Sequence, residues 1–206
     1  MTGPPLALGV LVSGRGSNLA AILDQIKAGR LAAQVRVVIS DQPNAPALRL
    51  AADQAIPALA IQRRSFANQE SFEARVAAEL EQRGVELVVL AGFMRLIGPT
   101  LIDRFPGRII NVHPALLPSF PGLAAQQQAL AHGVKISGCT VHFVNEVMDG
   151  GRIIAQTAVP LLEGDTVESL SARILAEEHQ LLPLVIGRLA EQIRAEQVSE
   201  DGSSQG

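Results

Sequence analysis

An apolar segment near the amino terminus, Leu6-Ala7-Leu8-Gly9-Val10-Leu11-Val12, runs directly into Ser13-Gly14-Arg15-Gly16-Ser17-Asn18. Its seven residues are apolar or small throughout, which indicates a strand that is buried on both faces. The glycine-rich continuation predicts a tight turn into a helix over residues 18–28, and Gly29 is typical of a helix end. A buried strand, a turn and a helix together form the start of a βαβ unit.

The pattern repeats outward from this stretch. Four more apolar runs predict strands, at Val35–Ser40, Ala58–Ile61, Glu86–Leu90 and Arg108–Val112, and helical spacing recurs at Pro46–Gln54 and Gln69–Arg83. Strands that alternate with helices pack as a parallel sheet covered on both sides. The prediction is therefore an α/β, Rossmann-like, open, mostly parallel and twisted sheet with helices on both faces.

The carboxyl-terminal half of the sequence does not continue the regular alternation of strands and helices. Three prolines within eight residues exclude regular structure over 114–121. Beyond them the sequence predicts a short helix at Leu123–Ala131. It predicts an antiparallel strand pair at Ser137–Asn145 and Arg152–Pro160, joined by residues 146–151, and a long helical region at Thr166–Gln192. We expect residues 1–198 to form a single domain, and the polar residues 199–206 to form a disordered tail.

Composition excludes several classes of protein. The 206 residues carry 17 Lys and Arg against 20 Asp and Glu, a net charge of −3, so a basic surface for nucleic acid is not expected. No apolar run is long enough to predict a membrane span, and the amino terminus lacks a basic leader pattern. The lone cysteine, Cys139, fits a reducing compartment and packing in the core. We expect a soluble, cytoplasmic protein.

The glycine loop between the first strand and the first helix admits three interpretations. A helix N-terminus after a Gly-rich turn binds phosphate well, whereas Ser17 and Asn18 could equally serve as helix caps. A dinucleotide site is a rival, with Asp41 as the ribose-binding acid, but Leu19 occupies the position where that fingerprint requires Gly or Ala. A nicotinamide cofactor is therefore disfavoured.

A second group of polar residues lies at the end of the fifth strand. Asn111 and His113 are two residues apart, so they project to the same side of an extended segment. An amide beside an imidazole suits a reaction that develops an oxyanion and moves a proton, and Asp149 could orient the imidazole. Ordinary turn chemistry explains the same residue types. His142 is expected to be a core or supporting residue, and no metal site is predicted.

Several motifs in order resemble those of the phosphoribosylglycinamide formyltransferase family, over roughly residues 6–189. They are Leu11-Val12-Ser13-Gly14-Arg15-Gly16-Ser17-Asn18-Leu19, Leu90-Ala91-Gly92-Phe93-Met94-Arg95, Asn111-Val112-His113-Pro114-Ala115-Leu116-Leu117-Pro118, and Val141-His142-Phe143 with Met148-Asp149-Gly150-Gly151. The resemblance implies transfer of a formyl group from the cosubstrate 10-formyltetrahydrofolate to the amine of glycinamide ribonucleotide in purine biosynthesis, without a metal. It leaves the oligomeric state open between monomer and dimer.

The resemblance also implies roles for residues. It implies catalysis by Asn111, His113 and Asp149; ribonucleotide binding by Arg15, Gly16, Ser17, Asn18 and Glu178; and folate binding by Met94, Arg95, Leu96, Ile97, Asn111, Asn145, Glu146, Val147, Met148 and Asp149. Asp149 is expected to favour a protonated His113. Other formyl-folate chemistry, namely hydrolysis, and a non-catalytic nicotinamide module remain as alternatives.

Further expectations follow from what the sequence lacks. With six Phe and no Tyr or Trp, the pterin should lie against aliphatic side chains. The candidates are Leu90, Leu96, Ile97, Leu101, Ile109 and Val144. Four residues depart from the pattern of the family in positions that bear on ligand affinity or loop packing. They are Ala124 and Ala125 where a His often occurs, Gln69 where a basic residue often occurs, and Leu175 where an amide often occurs.

Overall fold

The strands of the described residues belong to one seven-stranded sheet in the order β3-β2-β1-β4-β5-β6-β7. The structure is a computed structural model that describes residues 4–203, with side chains through residue 197. The strands are β1 Leu6–Val12, β2 Ala33–Ser40, β3 Ala58–Ala60, β4 Leu87–Leu90, β5 Ile109–His113, β6 Ile136–Phe143 and β7 Ile153–Pro160. Strands β1 to β5 pair in parallel, whereas β6 and β7 are antiparallel to their neighbours.

Helices cover both faces of this sheet. They are α1 Ser17–Lys27, α2 Pro46–Asp53, α3 Gln69–Gln82, α4 Pro99–Ile102, α5 Ala125–His132 and α6 Val167–Ser203, and Arg63–Ser65 form a 3-10 turn. Apolar residues of β1 alternate between the faces: Val10 belongs to the core cluster that includes residues of α1, α2, α5 and α6, and Leu11 belongs to the cluster that includes residues of α3. The sheet is therefore buried on both sides, as its continuous apolar strands require.

The fold class predicted from the sequence is confirmed, and the differences concern element ends. The last helix continues to Ser203, past the helix end expected at Gln192 and past the domain boundary expected at residue 198, because no proline interrupts its polar final turns. Residues 204–206 of the expected tail lie outside the described residues. Helix α4 escaped prediction because four residues are too few to show a helical period. Within residues 4–203 no helix combines the length and the apolar character needed to cross a bilayer.

The strand order determines where the polar segments meet. Between β1 and β4 the direction of winding reverses, and such a switch opens a crevice at the carboxyl ends of the strands. The glycine loop follows β1 there, the segment 91–98 follows β4, and Pro114 follows β5. Ser13 N–H donates to the Gly92 carbonyl at 3.1 Å, which fastens the first two of these segments together.

Candidate active site

A cavity of about 410 Å³ opens at the carboxyl edge of the sheet and collects the residues of the polar segments. Its lining includes Asn111, His113 and Asp149. Strand β5 supplies the first two, and the β6–β7 connection supplies Asp149, which lies 36 residues beyond His113 in the sequence. The lining also includes every residue that the resemblance assigned to folate. These are Met94, Arg95, Leu96 and Ile97 after β4, and Asn145, Glu146, Val147 and Met148 after β6.

The His113 ring is buried and is held from both of its nitrogens. Its Nε2 lies 2.8 Å from the Phe120 carbonyl oxygen, which can only accept, so this nitrogen carries a proton. Its Nδ1 lies 3.3 Å from the Asp149 carboxylate. Burial lowers the pKa of His113, and the Phe120 hydrogen bond and the Asp149 charge, which act to raise it, do not restore the ordinary value. Asp149 thus favours the protonated imidazole, as expected, but burial has the larger effect and lowers the pKa of His113 overall.

Asp149 is placed by a strained turn between β6 and β7. Its φ of 51° lies in the left-handed region, which few residues other than glycine adopt. A Cβ at Gly151 would collide with the Phe143 carbonyl oxygen, so the close return of the chain requires glycine there. The Asp149 carboxylate accepts the Gly122 N–H at 2.7 Å. Burial opposes its ionisation, but contact with the His142 ring and this N–H outweigh burial and lower the pKa of Asp149.

The orientation of the Asn111 amide is set by His142, which lies opposite it on β6. His142 Nδ1 donates to the Phe143 carbonyl at 2.8 Å, and its Nε2 lies 3.2 Å from the Asn111 amide nitrogen, which can only donate. The other amide proton of Asn111 is then free of this contact. His142 also lies 3.7 Å from Asp149, and it lines the cavity. These contacts are those expected of a supporting residue, and the two partners depend on strand register, which the sequence does not reveal.

The glycine loop leads into α1 without a side-chain cap. Gly16 is the residue before the helix, with a φ of 80°, and a Cβ there would approach the Ala47 Cβ to 2.6 Å. The residue that caps α1 is Gly16, and no side-chain cap bond is made among the described residues, so the capping interpretation of Ser17 and Asn18 is wrong. The amino-terminal N–H groups of α1 therefore lack the partner that a cap would provide, and the helix dipole favours an anion at this end. Arg15 is exposed beside them.

The loop is tied to the last helix by one buried contact. Asn18 Nδ2 donates to Glu178 at 2.7 Å, although the two residues are 160 positions apart. Both side chains are buried, and burial raises the pKa of Glu178, which the Asn18 hydrogen bond offsets in part. The Asn18 Oδ1 is buried without a hydrogen-bond partner in the described part of the chain. These two residues do not line the main cavity.

The walls of the cavity match the aliphatic expectation in part. Leu90, Leu96, Ile97 and Val144 line it, as expected. Leu101 and Ile109 do not: both are fully packed in the core cluster on the α3 side of the sheet. Phe93 does line the cavity, so one aromatic ring borders the site. Side-chain direction explains the difference, because Ile109 stands at the start of β5 and points into the core.

Two further expectations concern Asp41 and Cys139. Asp41, the candidate ribose acid of a dinucleotide site, is buried and ion-paired, with its Oδ2 2.7 Å from Arg95 Nε. Its carboxylate is thus engaged within the protein, which disfavours the nicotinamide alternative further. Cys139 is fully buried in the core, and burial raises the pKa of its thiol to about 12. No group of three or more His, Cys, Asp or Glu side chains within residues 4–197 is arranged to hold a metal ion.

The fold and the cavity define an α/β protein equipped for acid–base group transfer, and comparisons with known proteins give the family. The family model described as formyl transferase matches residues 7–186, so the chain belongs to the formyl transferase family. This confirms the resemblance drawn from the motifs.

Individual relatives agree. The chain is 44% identical over 180 residues to the phosphoribosylglycinamide formyltransferase of Bacillus subtilis, covering 87% of this chain and 92% of that protein. It is 44% identical to the trifunctional purine biosynthetic protein adenosine-3 of Drosophila melanogaster over 87% of this chain, but it spans 14% of that longer protein. The crystal structure of glycinamide ribonucleotide transformylase 1 from Symbiobacterium toebii matches with a TM-score of 0.91 and 51% identity, over 93% and 90% of the two chains.

Proposed function

We propose that the protein transfers the formyl group of 10-formyltetrahydrofolate to the amine of glycinamide ribonucleotide. The products are formylglycinamide ribonucleotide and tetrahydrofolate. The observation that carries the proposal is the convergence of Asn111, His113 and Asp149 in one cavity of a formyl transferase fold. The name and the near-complete coverage of the Bacillus subtilis relative support the choice of acceptor.

The ribonucleotide is proposed to bind at the start of α1. Gly16, Ser17 and Asn18 present the uncapped helix end to its phosphate, and Arg15 adds a positive charge beside it. Glu178 is assigned to the ribose hydroxyls, because a buried carboxylate anchored by Asn18 is a strong hydrogen-bond acceptor. The phosphate and ribose would then lie to one side of the cavity, with the amine directed toward the three catalytic groups.

The folate is proposed to occupy the main cavity. Its pterin would lie between the segment that follows β4 and the β6–β7 connection, against Leu90, Ile97 and Val144. Met94, Leu96, Val147 and Met148 are exposed apolar side chains on the rim of the cavity. Apolar groups on a cavity rim lose water contact when a flat ring system binds between them, and this contributes to affinity.

The chemistry follows from the contacts. The amine nitrogen attacks the formyl carbon, the carbonyl electrons move to oxygen, and a tetrahedral intermediate forms. One amide proton of Asn111 is held by His142, and the second can donate to the developing oxyanion. When the intermediate collapses, the bond between the carbon and the folate nitrogen breaks and its electron pair returns to that nitrogen.

The proton balance assigns His113 and Asp149 to one task. The attacking amine must lose a proton and the departing folate nitrogen must gain one. In the resting enzyme His113 is neutral at pH 7 with Nδ1 toward an ionised Asp149, so the pair has room for one proton. Uptake at Nδ1 creates an imidazolium beside a carboxylate, and this charge pair stabilises the intermediate until the proton passes on.

The remaining assignments complete the proposal. Residues 1–198 act as one formyltransferase domain on small molecules in the cytoplasm, where the lone Cys139 would stay reduced.

The decisive assay follows tetrahydrofolate release by purified protein with and without glycinamide ribonucleotide. The proposal expects release that depends on the ribonucleotide. Equal release without it would identify a formyl-folate hydrolase instead, and no release in either case would refute the proposed chemistry.

A further inference from the structure

Asp41 lies outside the main cavity, yet it touches both segments that border the proposed ligand sites. It follows β2 and is 5% exposed. Its carboxylate accepts three side-chain hydrogen bonds, from the Ser13 hydroxyl at 2.6 Å, from Gln42 Nε2 at 2.8 Å and from Arg95 Nε at 2.7 Å. Three donors hold this buried carboxylate in one position, and each donor offsets part of the cost of removing the charge from water.

The contact with Ser13 fixes the direction of a hydroxyl group. An ionised carboxylate can only accept, so the Ser13 proton points at Asp41 and the oxygen is left as an acceptor. That oxygen receives the Met94 N–H at 2.9 Å. Ser13 also donates its own N–H to the Gly92 carbonyl at 3.1 Å. The chain after β4 is thus attached to the first residue of the glycine loop by two hydrogen bonds, one of which depends on Asp41.

The contact with Arg95 fixes a side chain of the proposed folate site. Arg95 lines the main cavity and also a second cavity of about 400 Å³ that contains Asp41, Arg63 and Arg64. Its side chain is 37% exposed, whereas that of Asp41 is 3% exposed, so the buried carboxylate anchors a partly exposed guanidinium. Two further guanidinium groups around the second cavity would repel Arg95, and Asp41 opposes that repulsion.

We infer that Asp41 is a positioning residue for the folate cosubstrate. It holds Arg95 directly and holds Met94 through Ser13, so that one carboxylate aligns the segment after β4 with the glycine loop. The inference rests on the proposed function for the identity of the ligand. It gives Asp41 a task different from the ribose contact that a dinucleotide site would require.

The test uses Asp41→Asn in the full-length protein. The side-chain amide keeps one oxygen acceptor but turns an NH₂ group toward donors, and it removes the charge that holds Arg95. We expect KM for 10-formyltetrahydrofolate to rise roughly tenfold, since a hydrogen-bonded charge is lost away from the reacting atoms, while kcat stays within about twofold. Asp53→Asn, an exposed change at the end of α2, is the matched control and should leave both constants unchanged.

Two additional variants separate positioning from a general loss of structure. Ser13→Ala removes the acceptor for Met94 and leaves the Asp41–Arg95 pair, so it should raise the same KM and provides a test if Asp41→Asn does not fold. Arg95→Gln combined with Asp41→Asn should raise KM less than the product of the two single effects, because the two residues act through one contact.

A binding measurement makes the inference independent of turnover. Calorimetry with tetrahydrofolate should show weaker binding by Asp41→Asn, by about the same factor as the change in KM, even if the wild-type protein transferred no formyl group. Absence of turnover in the wild type would therefore refute the proposed function and leave this test in force. Unchanged KM and affinity in a folded Asp41→Asn protein, or an equal loss in kcat, would overturn the inference.

Discussion

The sharpest prediction concerns removal of the Asp149 charge by Asp149→Asn. The asparagine oxygen can still accept the Gly122 N–H, which wild-type Asp149 accepts at 2.7 Å, so the turn should keep its shape. What disappears is the negative charge 3.3 Å from His113 Nδ1. The imidazolium formed during proton uptake then lacks its counter-charge in a buried site.

The distance sets the magnitude. Two unit charges at this separation attract by about 5 kcal/mol at an effective dielectric constant of 20. Desolvation of the charged pair returns part of this energy, so a rise of about 3–5 kcal/mol in the barrier is expected. This rise corresponds to a loss in kcat of roughly 10²–10⁴-fold, in the range of other general acid–base groups.

The pH dependence gives a second signature with a defined sign. The proposed mechanism needs neutral His113, so kcat/KM should rise as the pH rises through the lowered pKa of His113 and stay level through pH 7. The Asp149 charge acts to raise that pKa, so Asp149→Asn lowers it further and moves the acid limb to lower pH. A steady-state pH profile of both proteins measures this shift.

Asp103→Asn, an exposed change after α4, serves as the control and should retain wild-type rates and pH profile. A folded Asp149→Asn protein with kcat within threefold of the wild type would refute the assignment of the His113–Asp149 pair. An acid limb that moved to higher pH would refute the electrostatic reasoning.

The other predictions concern binding, packing and reactivity. Glu178→Gln should raise KM for glycinamide ribonucleotide. Because burial raises the pKa of Glu178, its ionised form costs stability, so Glu178→Gln should melt at a higher temperature than the wild type at pH values above that pKa. This gain should vanish below about pH 4.5, which thermal melts at pH 4 and pH 8 can check. Gly16→Ala forces a Cβ against Ala47 at positive φ and should lower the free energy of unfolding by roughly 1–3 kcal/mol in urea titration, whereas Gly14→Ala, whose Cβ meets open space, should cost far less. Cys139, buried and with its pKa raised to about 12, should react with a thiol reagent only on unfolding, and fast labelling of the native protein would contradict the core packing.

Much of the fold could be predicted because its signals are local. The apolar run of β1 and the glycine turn after it indicate a buried strand and a helix start. Helix α3 shows its period in Phe72, Val76, Ala77 and Leu80, which are all buried. Helix α4 gave no such signal, because one turn of helix contains no repeat to detect.

The site could be predicted as a set of residues but not as a set of contacts. The motifs name Asn111, His113 and Asp149, and the parallel sheet brings the ends of its strands together. The pairing of Asn111 with His142 depends on antiparallel register, and the contact of Asn18 with Glu178 spans 160 residues. Neither follows from sequence spacing.

The charge state of His113 likewise could not be predicted from the sequence. Sequence reasoning could place a carboxylate near the imidazole, and an opposite charge by itself raises the pKa of a histidine. The depth of burial depends on the packed structure, and here burial is the larger influence and lowers the pKa. Asp41 is a parallel case, because its pairing with Ser13 and Arg95 appears only once β1, β2 and β4 lie side by side.

In the proposed reaction the formyl group passes directly between the two substrates in the cavity that holds Asn111, His113 and Asp149. A single-turnover reaction with carbon-13 formyl-labelled cosubstrate, followed by NMR, tests it most directly. We expect the label on the glycinamide nitrogen in equal amount to the tetrahydrofolate released, and we expect folded His113→Ala to lose this transfer by about 10²-fold or more. Label recovered as free formate, or full transfer by His113→Ala, would contradict it.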